Sequence, residues 1–236
     1  ILRLTYYGFG TDFLRGTWAQ YLLLCFVIFT IVYGCSMAVK ETHIKRRLAF
    51  STISNLSYIL FGVLIMTPLG LVGALCHMVF HGVMKICSFF CAGAMITQAH
   101  ANYVYEIDGM AKKMPKIFGI FTVSALALMG VPGLCGFVSK WHLAKAAFAS
   151  GNMLAVVGVG GLLISALLTA IYMLSIVIRA YYPGNDFDYG KLHDDIRDPD
   201  WRMLLPLFLF VILMVVFGVY NEPVVNFFRA VASGMI

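Results

Sequence analysis

Three ionisable residues share one stripe of an otherwise apolar segment: His77, His81 and Lys85, in the run HMVFHGVMK. On a helix of about 3.6 residues per turn, each four-residue step advances about 40°, so the three side chains lie along one face. The surrounding stretch, Leu71 to Thr97, carries no other formal charge and is long enough to cross a bilayer, which takes about 20 apolar residues. A charge near the bilayer centre costs at least about 2.5–3.5 kcal/mol on insertion scales, and packing alone gives no reason to keep it. Lys85 stands 14 residues past Leu71, about 21 Å along the axis at about 1.5 Å per residue, which is mid-membrane. The chemistry expected of such a stripe is the movement of protons or cations. His81 and His77 lie about 6 and 12 Å further along the helix, so a relay through all three needs water or side chains from neighbouring helices.

The second constellation is GVPGLCGFVSKWH, from Gly130 to His142. Pro132 removes a backbone donor and clashes with the preceding turn, and Gly130, Gly133 and Gly136 loosen the turns around it, so a helix breaks here. Broken backbone at membrane depth survives only where protein or water satisfies its polar groups, and such breaks are where transporters hold ions. Lys140 follows Gly136 by four residues with Ser139 beside it, which places a titratable amine next to the break. Lys145, nearer the helix end, is expected to snorkel toward the interface.

Composition sets the class. The 236 residues are 61% hydrophobic and only 12% charged, against about 25% charged in a soluble domain, so the chain is a polytopic membrane protein. The net charge of +6 does not point to nucleic acid, because the basic residues cluster between apolar segments as a topology signal. The six cysteines (Cys25, Cys35, Cys76, Cys87, Cys91, Cys135) all lie in apolar stretches without metal-ligand spacing. They are expected to pack as small polarisable residues.

Six spans are expected to position the two constellations: Thr17–Ala38, Leu48–Met66, Leu71–Thr97, Pro115–Ser150, Met153–Tyr182 and Met203–Tyr220. The second has unusual polar density in Ser51, Thr52, Ser54, Asn55 and Ser57, residues that face other helices or water rather than lipid. Pro115–Ser150 reads either as two short spans or as one helix broken near Pro132. With one broken span, eleven basic residues fall on one side (Lys40, Lys45, Arg46, Arg47, Lys112, Lys113, Lys116, Arg179, Lys191, Arg197, Arg202) and three on the other (Arg3, Arg15, Arg229); two spans give eight against six. The positive-inside rule favours one broken span, with the basic side cytoplasmic and the C-terminus outside. Lys140 then faces the protein interior at about the depth of Lys85. Residues 1–16 read as the end of a preceding helix and a loop, 17–220 as the transmembrane domain, and 221–236 as an interfacial tail. The loop Pro183–Asp200 is acidic and hydrated.

The succession IKRRLAFSTISNLSY, HMVFHGVMKICSFFCAGAMI, MPKIFGIFTVSALALMGVPGLCGFVSKW and ALLTAIYMLSIVIRAYYP resembles the antiporter-like, proton-pumping subunits shared by respiratory complex I (NADH-quinone oxidoreductase), energy-converting membrane-bound hydrogenases and Mrp cation/proton antiporters. The resemblance covers nearly the whole chain. It implies an all-α polytopic membrane helix bundle of about six spans, one of them broken, matching the C-terminal half of a larger inverted-repeat fold. By position it implies that Lys85, His81 and His77 lie on a central hydrated axis and that Lys140 is the broken-helix lysine of an outlet half-channel, with Ser139 beside it. It implies an H⁺- or Na⁺-translocating subunit, no cofactor in this chain, and partnership with other membrane subunits, including related antiporter-like ones, in a bacterial or archaeal plasma membrane. Within transport the alternative is a component of a stand-alone Mrp-type Na⁺/H⁺ antiporter. From a different class, a membrane haem or di-metal enzyme built on His77 and His81 requires a facing histidine, which only His142 is placed to supply.

Overall fold

The computed structural model describes residues 1–184, 187, 189–191 and 195–235. Asp186, Asp188 and Asp194 of the acidic loop lie outside the described residues. After a wide helical turn at Leu4–Phe9, the α-helices are α1 Thr11–Leu14, α2 Trp18–Lys40, α3 Ile44–Leu64, α4 Pro68–Ala99, α5 Pro115–Met129, α6 Cys135–Ala149, α7 Met153–Tyr181, α8 Trp201–Val219 and α9 Glu222–Ser233. Helices α2, α3, α4, α7 and α8 are each long and apolar enough to cross a membrane. The chain is therefore a multi-pass integral membrane protein.

Helices α5 and α6 have 15 residues each, about 22 Å of rise, too short to cross a hydrocarbon core of about 30 Å alone. Their register against α4 shows that they form one interrupted span. The Ser124 hydroxyl of α5 lies 2.6 Å from that of Ser88 and donates to the Met84 carbonyl at 2.9 Å; past the break, the Ser139 hydroxyl of α6 is 2.9 Å from Nδ1 of His77. As numbering falls along α4, it rises without reversal through α5 and α6. The start of α5 sits at the end of the bundle where Gly109 N donates to Arg179 O and Asp198 accepts from the Lys116 and Ile117 amides. Toward its other end, α6 packs Leu143 against Gly62 and Gly73, beside the α3–α4 turn. The two ends of this segment thus lie at opposite ends of the bundle, as the charge count requires.

Local chemistry accounts for boundaries that differ from the sequence expectation. Helix α4 begins at Pro68, a few residues earlier than expected, because the Thr67 side chain caps it by accepting from the Gly70 amide and Pro68 occupies the first turn, where its missing N–H costs nothing. Helix α3 starts at Ile44, drawing Arg47 into its first turn; the loop before it is tied down where Ile44 N donates to Asn102 O and Val104 N to Thr42 O, both at 2.9 Å. The break is narrower than Gly130–Gly136: the helix resumes at Cys135. Helix α4 is the pivot, packing on α3, α5, α6, α8 and α9. Helix α9 seats Val225 and Ala232 inward and leaves Phe227 and Arg229 exposed.

Candidate functional site

The α4 stripe is interior. His77 is fully buried, and His81 and Lys85 are each 5% exposed. The His77 and His81 rings stack at 5.8 Å between centroids, and the Tyr58 ring of α3 tilts against His77 at 5.1 Å. The Lys85 ammonium donates to the Leu48 carbonyl at 2.9 Å, with the Phe89 ring 6.0 Å away. No carboxylate answers it: among the described residues neither Lys85 nor Lys140 forms an ion pair, and every acidic residue between 17 and 184 (Glu41, Glu106, Asp108) lies between the spans. The buried Lys85 ammonium is thus held by a neutral backbone oxygen, with no fixed countercharge beside it.

The break supplies the second half of the site. A helix end leaves its last carbonyls without intrahelical partners and carries partial negative charge. At the end of α5, the Gly130 amide returns to Leu126 and Ala127, and Gly130 turns the chain with φ +93°, a conformation that suits glycine. That leaves Leu128 and Met129, whose carbonyls accept from the Lys140 ammonium at 2.7 and 3.0 Å. Lys140, half-buried, therefore reaches back across the break and caps the helix that precedes its own, with the Tyr58 ring 5.4 Å away. Gly136 lets the two half-helices approach: a Cβ there would run into the Ala127 carbonyl and meet Met84 Sδ. Since the Gly136 contact also places the break level with Met84, Lys140 caps α5 close to the depth of Lys85.

Of the five polar residues singled out from the sequence, His77 contacts His81 and Ser139 directly, Lys140 and His77 both lie against the Tyr58 ring, and Lys85 stands further along the α4 stripe against Leu48. Ser139 has a different contact from the one its position suggested: its hydroxyl lies 3.2 Å from Gly136 O and 2.9 Å from His77 Nδ1. Pro132 and Gly133 sit in the irregular backbone, exposed, with Gly133 at φ +89°. His142 donates from Nδ1 to the Val138 carbonyl of its own helix, and exposed Lys145 lies over Trp141. Among the described residues no three His, Cys, Asp or Glu side chains converge on a metal-sized site. The Nε2 atoms of His77 and His81 and the Oδ1 of Asn55 are buried without a protein partner, and groups of this kind are met by water in folded proteins.

Two participants are not singled out by sequence reasoning. Arg47, read there as part of a basic loop, is 6% exposed and donates to the carbonyls of Glu41 and Tyr172 and to Ser175 Oγ. Tyr58 touches both His77 and the Lys140 ammonium. A signal existed: positions 47, 51, 54, 55 and 58 follow helical spacing, so Arg47 and Tyr58 share the face of Ser51, Ser54 and Asn55.

NADH-quinone oxidoreductase subunit N of Desulforudis audaxviator is 32% identical over 204 residues, 83% of this chain and 40% of that protein. NAD(P)H-quinone oxidoreductase chain 4 1 of Synechococcus elongatus is also 32% identical over 204 residues, covering 83% of this chain and 36% of its own length. The chain thus spans less than half the length of these relatives. Among solved structures, the Mrp complex of a Dietzia species superposes with TM-score 0.84 at 22% identity, covering 100% of this chain and 50% of that one. Respiratory complex I from Thermus thermophilus superposes with TM-score 0.80 at 22% identity, covering 92% and 44%; these two show the fold. The transmembrane family described as NADH:quinone oxidoreductase/Mrp antiporter matches residues 4–169, and the chain, an all-α membrane bundle with a buried Lys and His stripe beside one broken span, belongs to that family.

Proposed function

We propose that this chain translocates ions, H⁺ or Na⁺, as a membrane subunit of a complex I-like redox-driven pump, along the Lys85, His81, His77, Ser139 and Lys140 axis. One observation carries the reading: two interior lysines held by backbone carbonyls rather than carboxylates, with the stacked histidines joined to the broken helix through Ser139. Lys85 serves as the titrating site, and the His pair relays between it and the break. Lys140 couples protonation to the break, since loss of its charge weakens the bonds that hold the end of α5. The relatives named for NADH-quinone and NAD(P)H-quinone oxidoreductases support a place among other membrane subunits, in a prokaryotic plasma membrane. The basic-residue asymmetry supports a cytoplasmic side at the Lys40 end of the bundle and an outside C-terminus.

The test is Lys85→Met in the complete complex reconstituted into vesicles, with proton and Na⁺ gradients followed during turnover. Assembly with loss of most pumping is expected; near wild-type gradients would remove Lys85 from the path. His77→Ala and His81→Ala should keep partial coupling, because water can replace a relay imidazole but not a titrating amine.

A further inference from the structure

Lys140 lines a cavity of about 390 Å³ enclosed by α6, α7 and the end of α5. The volume falls within the range of small-molecule pockets, about 300–1,000 Å³. Val159 and Leu162 are buried in its wall, whereas Trp141, Phe148 and Leu163 are exposed. Helix α7 is one of the membrane-crossing helices, so a cavity bordered by its exposed apolar face opens sideways, toward hydrocarbon. Apart from the indole N–H of Trp141 the surrounding side chains are apolar, and Lys140 is the one charged residue among the described residues that line it.

The ammonium is left with capacity to spare. It has three N–H donors, of which two go to the Leu128 and Met129 carbonyls; among the described residues the third meets no acceptor. Gly130 keeps the approach open. It lines the same cavity, and a Cβ there would stand 3.1 Å from Lys140 Cδ and 3.5 Å from Nζ. An ionisable group at membrane depth pairs with an opposite charge or faces water. Lys140 has no ion pair among the described residues, and the spans carry no acidic residue. Apolar walls offer few of the two to four polar partners that hold a water in place. What the cavity lacks is a single anionic oxygen carried on an apolar body. A phospholipid does not supply it, because its phosphate stays at the membrane surface while Lys140 stands close to the depth of Lys85.

We propose that this cavity binds a long-chain monocarboxylate taken from the bilayer, its head accepting from the free N–H of Lys140 and its tail lying between α6 and α7. The inference concerns binding, and it stands whether or not Lys140 takes part in translocation. The ligand can arrive as the anion and meet the ammonium. It can also arrive as the neutral acid and give its one proton to a neutral amine, and both routes end in the same carboxylate–ammonium pair. An ester or alcohol of equal length lacks the charge, and a cationic amphiphile is repelled.

The experiment uses dodecanoic acid carrying a diazirine in mid-chain, photolysed with the complete complex in vesicles, and maps the labelled peptides by mass spectrometry. Labelling of α6 and α7 around Trp141, Phe148 and Leu163 is expected, several-fold above that by the methyl ester of the same probe. Unlabelled dodecanoate should compete and dodecanol should not. Lys140→Met should lose the excess over the ester, and Lys140→Arg, which keeps charge and donors, should retain it. Ala166→Phe fills the cavity without touching the amine, so it carries the test if Lys140→Met fails to assemble, and it should also lower labelling several-fold. Equal labelling by acid and ester would make the cavity a seat for any acyl chain and overturn the proposal. Absence of label from these peptides would show the face covered by protein and overturn it too, as would wild-type labelling in Lys140→Met or in Ala166→Phe. Lys85→Met should be labelled as wild type; normal pumping by that variant overturns the translocation reading and leaves this site standing.

Discussion

Ser139, on the helix after the break, shares a 2.9 Å hydrogen bond with Nδ1 of His77 on the unbroken helix beside it. That contact joins two regions 62 residues apart in sequence and makes the broken span part of the α4 stripe. It sets which nitrogen of His77 faces the rest of the axis.

Ser139→Ala should therefore impair coupling more than its size implies. It strips a fully buried imidazole of its Nδ1 partner, and an unmet buried polar group costs about 1–3 kcal/mol. Pumping by the reconstituted complex should fall partway, less than in Lys85→Met, and Ser139→Thr should recover much of it. Full activity in Ser139→Ala would mean that His77 orientation does not matter for transfer.

Lys140→Met should loosen the break. It removes the donors that hold the Leu128 and Met129 carbonyls, each a charge-assisted bond worth about 1.5–3 kcal/mol in folded proteins. Hydrogen exchange of the assembled complex should rise at the amides from 126 to 134 and stay unchanged in α2. Unaltered exchange there would show that Lys140 does not brace α5.

Gly136→Ala should destabilise the protein by more than the usual overpacking cost of about 1–3 kcal/mol. The obstacle is the Ala127 backbone carbonyl, which cannot rotate aside as a side chain would. A lower melting temperature in detergent is the expected result. An unchanged one would mean that the two half-helices can slide apart without penalty.

Arg47→Met should reduce stability far more than Arg46→Gln or Lys45→Gln, although the three are adjacent. Arg46 and Lys45 are exposed, while Arg47 is buried with three acceptors, which lose a charged donor in the variant. Thermal stability of the purified protein compares the three directly. Equal losses would contradict an interior role for Arg47.

Much of this protein was legible in the chain because lipid makes strict demands. Apolar runs long enough to cross, the four-residue spacing of His77, His81 and Lys85, and the basic asymmetry that joined Pro115–Ser150 into one broken span all follow from the energy of burying charge and bare backbone. What each polar side chain bonds to was decided only by tertiary packing. Lys140 was placed beside a break, but that it caps the preceding half-helix depends on Gly136 letting that half-helix approach. Arg47 read as loop charge because the carbonyl of Tyr172 that receives it lies 125 residues away in sequence. Helical periodicity says which face a residue occupies; the packing of one helix on another determines which atoms meet across it.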